Sequence, residues 1–199
     1  MRRHILAFVC ALAGFAAVGA ASAAPGVDID PLTHQPLVQN PNALGTDGRP
    51  LATAIPRETV YFSGNYAPGT IVISTTERRL YYVLPGGQAI KYGVGVGRPG
   101  FEWSGTRVVS QKREWPDWTP PSQMLRRRPD LPRHMAGGIA NPLGARAMYL
   151  GGTLYRIHGS NEPETIGQAV SSGCIRMTND DVIDLYERVR VGTRVVVLR

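Results

Sequence analysis

From Glu58 onward the chain is a succession of short β-branched and aromatic runs, each cut off by turn residues. They are TIVIS (70–74), RLYYVL (79–84), QAIKYGVGV (88–96), TRVVSQKRE (106–114), RAMYL (146–150), LYRIHG (154–159) and TRVVVL (193–198). Strand signals at this spacing confine the folded part to a mainly β domain. Pro85-Gly86-Gly87, between two such runs, predicts a hairpin turn. One helix stands against this background, in TNDDVIDLYERVRVG. Thr178 or Asn179 is its N-cap, Asp180 and Asp181 suit the dipole of its first turn, and Gly192 is its stop. Val182, Ile183, Tyr186 and Val189 form the face expected to pack on a sheet.

The sequence before Glu58 has a different character. Arg2 and Arg3, an apolar run from Ile5 to Val18 and the small-residue stretch GAASAAPG have the layout of a secretory signal, with cleavage expected after Ala23. The run is short for a bilayer span, so no stable membrane span is expected after cleavage. Residues 24–57 hold Pro25, Pro31, Pro36, Pro41, Pro50 and Pro56 without a sustained apolar period, and read as a flexible arm. Three segments result: a signal peptide over 1–23, a Pro-rich arm over 24–57 and one folded domain over 58–199. The protein is therefore expected to be exported. The chain carries a net charge of +7, which falls to +5 once Arg2 and Arg3 leave. Its basic residues are scattered rather than banked, which argues against nucleic acid and for small acidic groups or polymers.

Cys10 lies in the signal, so the exported form keeps a single thiol, Cys174. Such a thiol is a buried apolar residue, half of an intermolecular bridge, or a reactive group. A reactive thiol needs a base. His34 falls in the arm and His134 in a long loop. His158 instead ends a strand run next to Gly159, sixteen residues before Cys174, where a side chain is held rigidly yet reaches a cleft. One Cys and one His are too few to hold a metal, and neither a metal nor another cofactor is expected. GVGRPG (95–100) matches a dinucleotide fingerprint formally, but Pro99 interrupts it and no helix is expected after it, so it reads as a glycine-rich strand and turn. The stretch from 114 to 134, with Trp115, Trp118 and the basic run Arg126, Arg127 and Arg128, reads as a flap over a cleft.

The segment IHGSNEPETIGQAVSSGCIRMTNDDVIDLYERV resembles the active-site segment of the L,D-transpeptidase catalytic domain family. His158, Gly159, Ser171, Gly173, Cys174 and Arg176 carry the likeness in one spaced block. It extends through NPLGARAMYLGG (141–152), WTPPSQM (118–124) and LYYVLPGGQAIKYGVGVGRPG (80–100). Ser172 departs from the pattern, since many members have a second histidine there. The resemblance implies a β-sandwich of mixed sheets with one packed helix after the cysteine. It implies a peptidoglycan enzyme in which Cys174 takes an acyl group from a tetrapeptide stem, releases D-alanine and passes the acyl group to an amine. The acceptor is another stem peptide or an envelope protein; water as acceptor (a hydrolase) and a non-catalytic wall-binding domain are the alternatives. His158 is the implied base, oriented by the carbonyl of Gly159. The amides of Gly173 and Cys174 are the expected oxyanion donors. Ser172 and Arg176 are the expected substrate contacts, with Arg176 left open between binding a stem carboxylate and bracing the turn.

Overall fold

A computed structural model describes residues 55–199. The signal segment and the arm up to residue 54 lie outside the described residues. The elements in chain order are β1 (Glu58–Tyr61), β2 (Ile71–Ser74), β3 (Arg79–Leu84), β4 (Gln88–Gly93), β5 (Val96–Gly97), β6 (Gly105–Glu114), α1 (Ser122–Arg127) and β7 (Arg146–Leu150). After them come β8 (Arg156–His158), a 3-10 turn (Pro163–Thr165), β9 (Ala169–Ser171), β10 (Ile175–Arg176), α2 (Asn179–Arg188) and β11 (Arg194–Leu198).

Every run expected to be a strand contains one, and the β3–β4 hairpin closes through Pro85-Gly86-Gly87, with Leu84 opposite Gln88. Gly86 and Gly87 adopt φ of +75° and +71°, a region in which L side chains are strained. Nine strands form one mixed sheet in the order β1-β4-β3-β2-β11-β6-β7-β8-β10, and β5 pairs with β9 separately. The long strand β6 joins the two halves of the large sheet. Its first part pairs with β11, and its second part pairs with β7 after a register shift between Val109 and Gln111. A bulge of this kind bends a strand and increases its twist, so a single sheet can curl over its own inner face. The sandwich is therefore one sheet curled at β6. Ile71, Ile73, Leu80 and Tyr92 from one half share a core with Met148, Leu150 and Ile157 from the other and with Val182 and Leu185 of α2.

Helix α2 packs against β7, with a face that is in part the one expected. Val182, Leu185 and Val189 are buried, together with Asp181, while Ile183 and Tyr186 sit on the half-buried flank. Thr178 is the cap, its hydroxyl accepting the Asp181 N–H at 3.2 Å. The helix stops at Arg188, before Gly192. Val189 turns extended into the core, and Lys112 Nζ donates to the carbonyls of Tyr186 and Val189 at 2.6 Å each. A cation on the last carbonyls ends the helix where a glycine was expected to.

Two further findings bear on the boundaries. Ile55 lies against Gly93 and Gly167, and Arg57 stands 3.6 Å from Asp181 and 3.5 Å from Asp184. These residues precede the expected boundary at 58 and already pack on the domain. The stretch from 114 to 134 contains α1 and is fastened at its ends. The buried Asn141 side chain donates to the carbonyls of Pro116, Met135 and Ala136.

Candidate active site

The site lies where β10 pairs in parallel with β8, Ile175 beside Ile157 and Arg176 beside His158. Ile157 and Ile175 are buried in the core. Because successive strand residues face opposite sides, His158, Arg176, Arg156 and the residue just before β10, Cys174, share the other side. The chain thus brings Cys174, His158, Gly173, Gly159, Ser172 and Arg176 into one neighbourhood.

His158 is 4% exposed and places Nδ1 2.6 Å from the Gly159 carbonyl oxygen. A carbonyl only accepts, so Nδ1 carries the proton and Nε2 keeps its lone pair. Burial, then the guanidiniums of Arg176 and Arg156, push the His158 pKa down to about 3, against the opposing effect of the bond to Gly159. The ring is neutral at physiological pH. Cys174 is half-buried. Burial pushes its thiol above the ordinary range, and Arg156 and Arg176 pull the other way. The resting pair is a thiol and an imidazole rather than an ion pair. In this conformation the thiol makes a long 3.9 Å contact to the Leu154 carbonyl.

The cysteine turn is tied from several sides. Ser171 Oγ accepts the Gly173 N–H at 3.0 Å and donates to the Cys174 carbonyl at 2.6 Å. Gly173 adopts φ of +107°, and a Cβ there would collide with the ring of Tyr155. Trp103 stacks on Tyr155 with centroids 4.7 Å apart and donates its indole N–H to the Gly173 carbonyl at 2.7 Å. Arg98 donates to Ser172 Oγ at 3.1 Å, its backbone N–H donates to the Ser171 carbonyl at 3.0 Å, and its guanidinium lies 4.2 Å from the Phe101 ring centre.

Two expectations change. The Gly173 amide folds back onto Ser171 Oγ within its own turn and does not face outward as an oxyanion donor. The Cys174 amide, by contrast, donates to no described residue. Arg176 Nη1 pairs with Glu162 at 2.7 Å and reaches Thr165 Oγ1 at 3.4 Å, while its backbone exchanges 2.9 Å bonds with Gly95. Of its two open roles, this geometry is that of a brace. In the stretch from 114 to 134, Arg128 is forked onto Asp130 at 2.6 to 3.2 Å, and Arg127 lies 5.4 Å from the Phe101 ring centre. Sequence reasoning missed Arg98, Trp103, Tyr155 and Arg156. Only Arg156 had a local signal, being two residues before His158 and so on the same side of the strand.

The cysteine turn thus lies alongside the histidine strand at one edge of a curled mixed sheet. A family model described as the L,D-transpeptidase catalytic domain matches residues 68–197, and the chain belongs to that family. The probable L,D-transpeptidase ErfK/SrfK of Escherichia coli K12 is 41% identical over 137 residues, which cover 64% of this chain and 43% of the relative. The probable L,D-transpeptidase YbiS of the same organism is 40% identical over 134 residues, covering 63% and 43%. The chain thus spans less than half the length of these curated relatives. A solved L,D-transpeptidase from Mycobacterium smegmatis superposes with a TM-score of 0.54 at 20% identity, covering 67% of this chain and 59% of that one, a likeness of fold.

Proposed function

We propose that the protein is a peptidoglycan L,D-transpeptidase, exported by its N-terminal signal, with Cys174 as nucleophile and His158 as base. The observation that carries this reading is the parallel β8–β10 pairing. It lays the cysteine turn alongside the strand that ends in His158, an imidazole whose Nδ1–H is held by Gly159, and in the proposed reaction the Nε2 lone pair takes the thiol's proton.

The thiol turns from the Leu154 carbonyl toward Nε2, which takes its proton as Sγ attacks the carbonyl carbon of the L-centred residue in the tetrapeptide stem. The Cys174 N–H faces the developing oxyanion. As the tetrahedral centre collapses, the C–N bond to the terminal D-alanine breaks, and the imidazolium returns its proton to the departing amine. A thioester remains. An amine from a second stem, or from an envelope protein, then attacks the thioester carbonyl. His158 takes the amine's proton and delivers it to the leaving thiolate. Because His158 is neutral in the resting protein, its Nε2 lone pair is available to accept the thiol's proton as Sγ attacks. Ser172 and the guanidinium of Arg156 lie near enough to the thiol turn to meet the polar groups of the stem, while Arg176 holds the turn through Glu162.

The test is product analysis of the protein with disaccharide-tetrapeptide and a diaminopimelate-bearing acceptor. D-alanine and a 3→3 dimer are expected from the wild type and neither from Cys174→Ala. Free tripeptide alone, with acceptor present, would assign the hydrolase instead.

A further inference from the structure

The Gly173 carbonyl and the Cys174 N–H belong to one peptide unit. A trans peptide is planar, with its C=O and N–H pointing in opposite directions, so fixing one fixes the other. Trp103 Nε1 holds that carbonyl at 2.7 Å from a residue 70 positions away in sequence. The indole is itself immobilised by its stack on Tyr155, at 4.7 Å and an interplanar angle of 10°. Tyr155 in turn fills the space in which a side chain at residue 173 would sit, so the glycine is pressed against the same aromatic pair. The second amide of the turn is removed from competition, because Ser171 Oγ accepts the Gly173 N–H. What remains without a partner among the described residues is one donor, the Cys174 N–H, in an orientation that the turn alone does not determine, because glycine, here at φ of +107°, is permissive in the ψ that rotates that peptide.

We infer that Trp103 is a positioning residue for acyl transfer: by holding the Gly173 carbonyl, its indole N–H aims the Cys174 amide at the oxyanion. The inference rests on the acyl-transfer reading above. It predicts that the loss of one indole hydrogen bond slows reactions that build charge on a carbonyl oxygen and spares reactions of the same sulfur that do not. Misaiming a preorganised donor costs on the order of tenfold to a hundredfold in rate.

Two reagents separate these cases. Meropenem acylates a thiol through a tetrahedral oxyanion, opening its β-lactam amide as the C–S bond forms. Iodoacetamide alkylates it by direct displacement of iodide, with no oxyanion. Trp103→Phe keeps an aromatic ring against Tyr155 and loses the N–H. Replacing Trp103 by its sulfur isostere, benzothienylalanine, keeps the full indole outline and also loses the N–H. Both rates are measured at one pH by intact-protein mass, beside a melting curve; if the phenylalanine variant melts below the assay temperature, the isostere decides. The expected result is an acylation rate reduced about tenfold or more with alkylation within about twofold of wild type. Equal falls in both rates, or no fall in acylation, would overturn the inference. A wild-type protein that takes iodoacetamide at Cys174 but never meropenem would instead refute the acyl-transfer reading itself.

Discussion

His158 and Cys174 are kept neutral by the same burial that holds them in place, and this sets the pH behaviour of the site. Burial holds the Cys174 thiol above the ordinary range although Arg156 and Arg176 pull it down. Alkylation by iodoacetamide should therefore climb steadily with pH, without a plateau between about pH 6 and 8; a plateau there would reveal a thiolate–imidazolium pair. The histidine also links folding to pH. Its pKa falls from an unperturbed 6.5 to about 3 in the folded protein, so the unfolded chain binds more protons in that window. Its contribution to stability is complete above 6.5 and is lost as pH falls toward 3. Urea midpoints of wild type and His158→Gln should accordingly converge as pH is lowered through this range, and curves that stay parallel would show the histidine to be ordinary. At this scale the sequence was legible where chemistry is local. A thiol without a partner and a strand-end histidine could be paired from their residue types and surroundings. Trp103 and Arg98 could not, because they reach the cysteine turn across 70 or more residues and through a carbonyl that any sequence supplies.

Elements were recognisable by their periodicity, and they differ from expectation where tertiary contacts take over. The strand runs and the β3–β4 turn follow from alternation and glycine alone. The face of α2 follows only in part: Val182 and Val189 are buried as expected, but Leu185 is also drawn inward by the curled sheet while Tyr186 is held at the rim under Lys112, 3.9 Å from its ring centre. The two-residue strand β10 was visible only as part of a motif, since Ile175 and Arg176 are too few to show a period. The curl itself depends on a register shift in β6 that no composition announces. Thr178 caps α2 directly behind the cysteine turn, so Thr178→Ala should lower stability by about 1 kcal/mol in urea titration. It should leave iodoacetamide labelling of the folded protein unchanged. A neutral effect on stability would mean that the helix start is held by other contacts, of which the Asn179 side chain's 2.9 Å bond from the Ala145 N–H is the first.

For the molecule as a whole, the proposed reaction asks the cleft to distinguish neighbouring carbonyls of opposite hand. An L-centred and a D-centred carbonyl present their side groups as mirror images, so a cleft that fixes one in attack geometry displaces the other. Displacement by about 1 Å costs roughly a hundredfold. D-alanine release from disaccharide-tetrapeptide should therefore exceed any reaction with disaccharide-pentapeptide by about that factor, as read by chromatography of the products; a preference for pentapeptide would place the attacked bond one residue further along. The central claim is that the stem becomes covalently bound to Cys174. Rapid acid quenching of the wild-type protein with disaccharide-tetrapeptide, followed by intact mass and peptide mapping, tests it most directly. The account predicts one adduct equal in mass to the substrate less D-alanine, located at Cys174 and absent from Cys174→Ala. Steady turnover with no such adduct at any quench time, or the same adduct on Cys174→Ala, would contradict it.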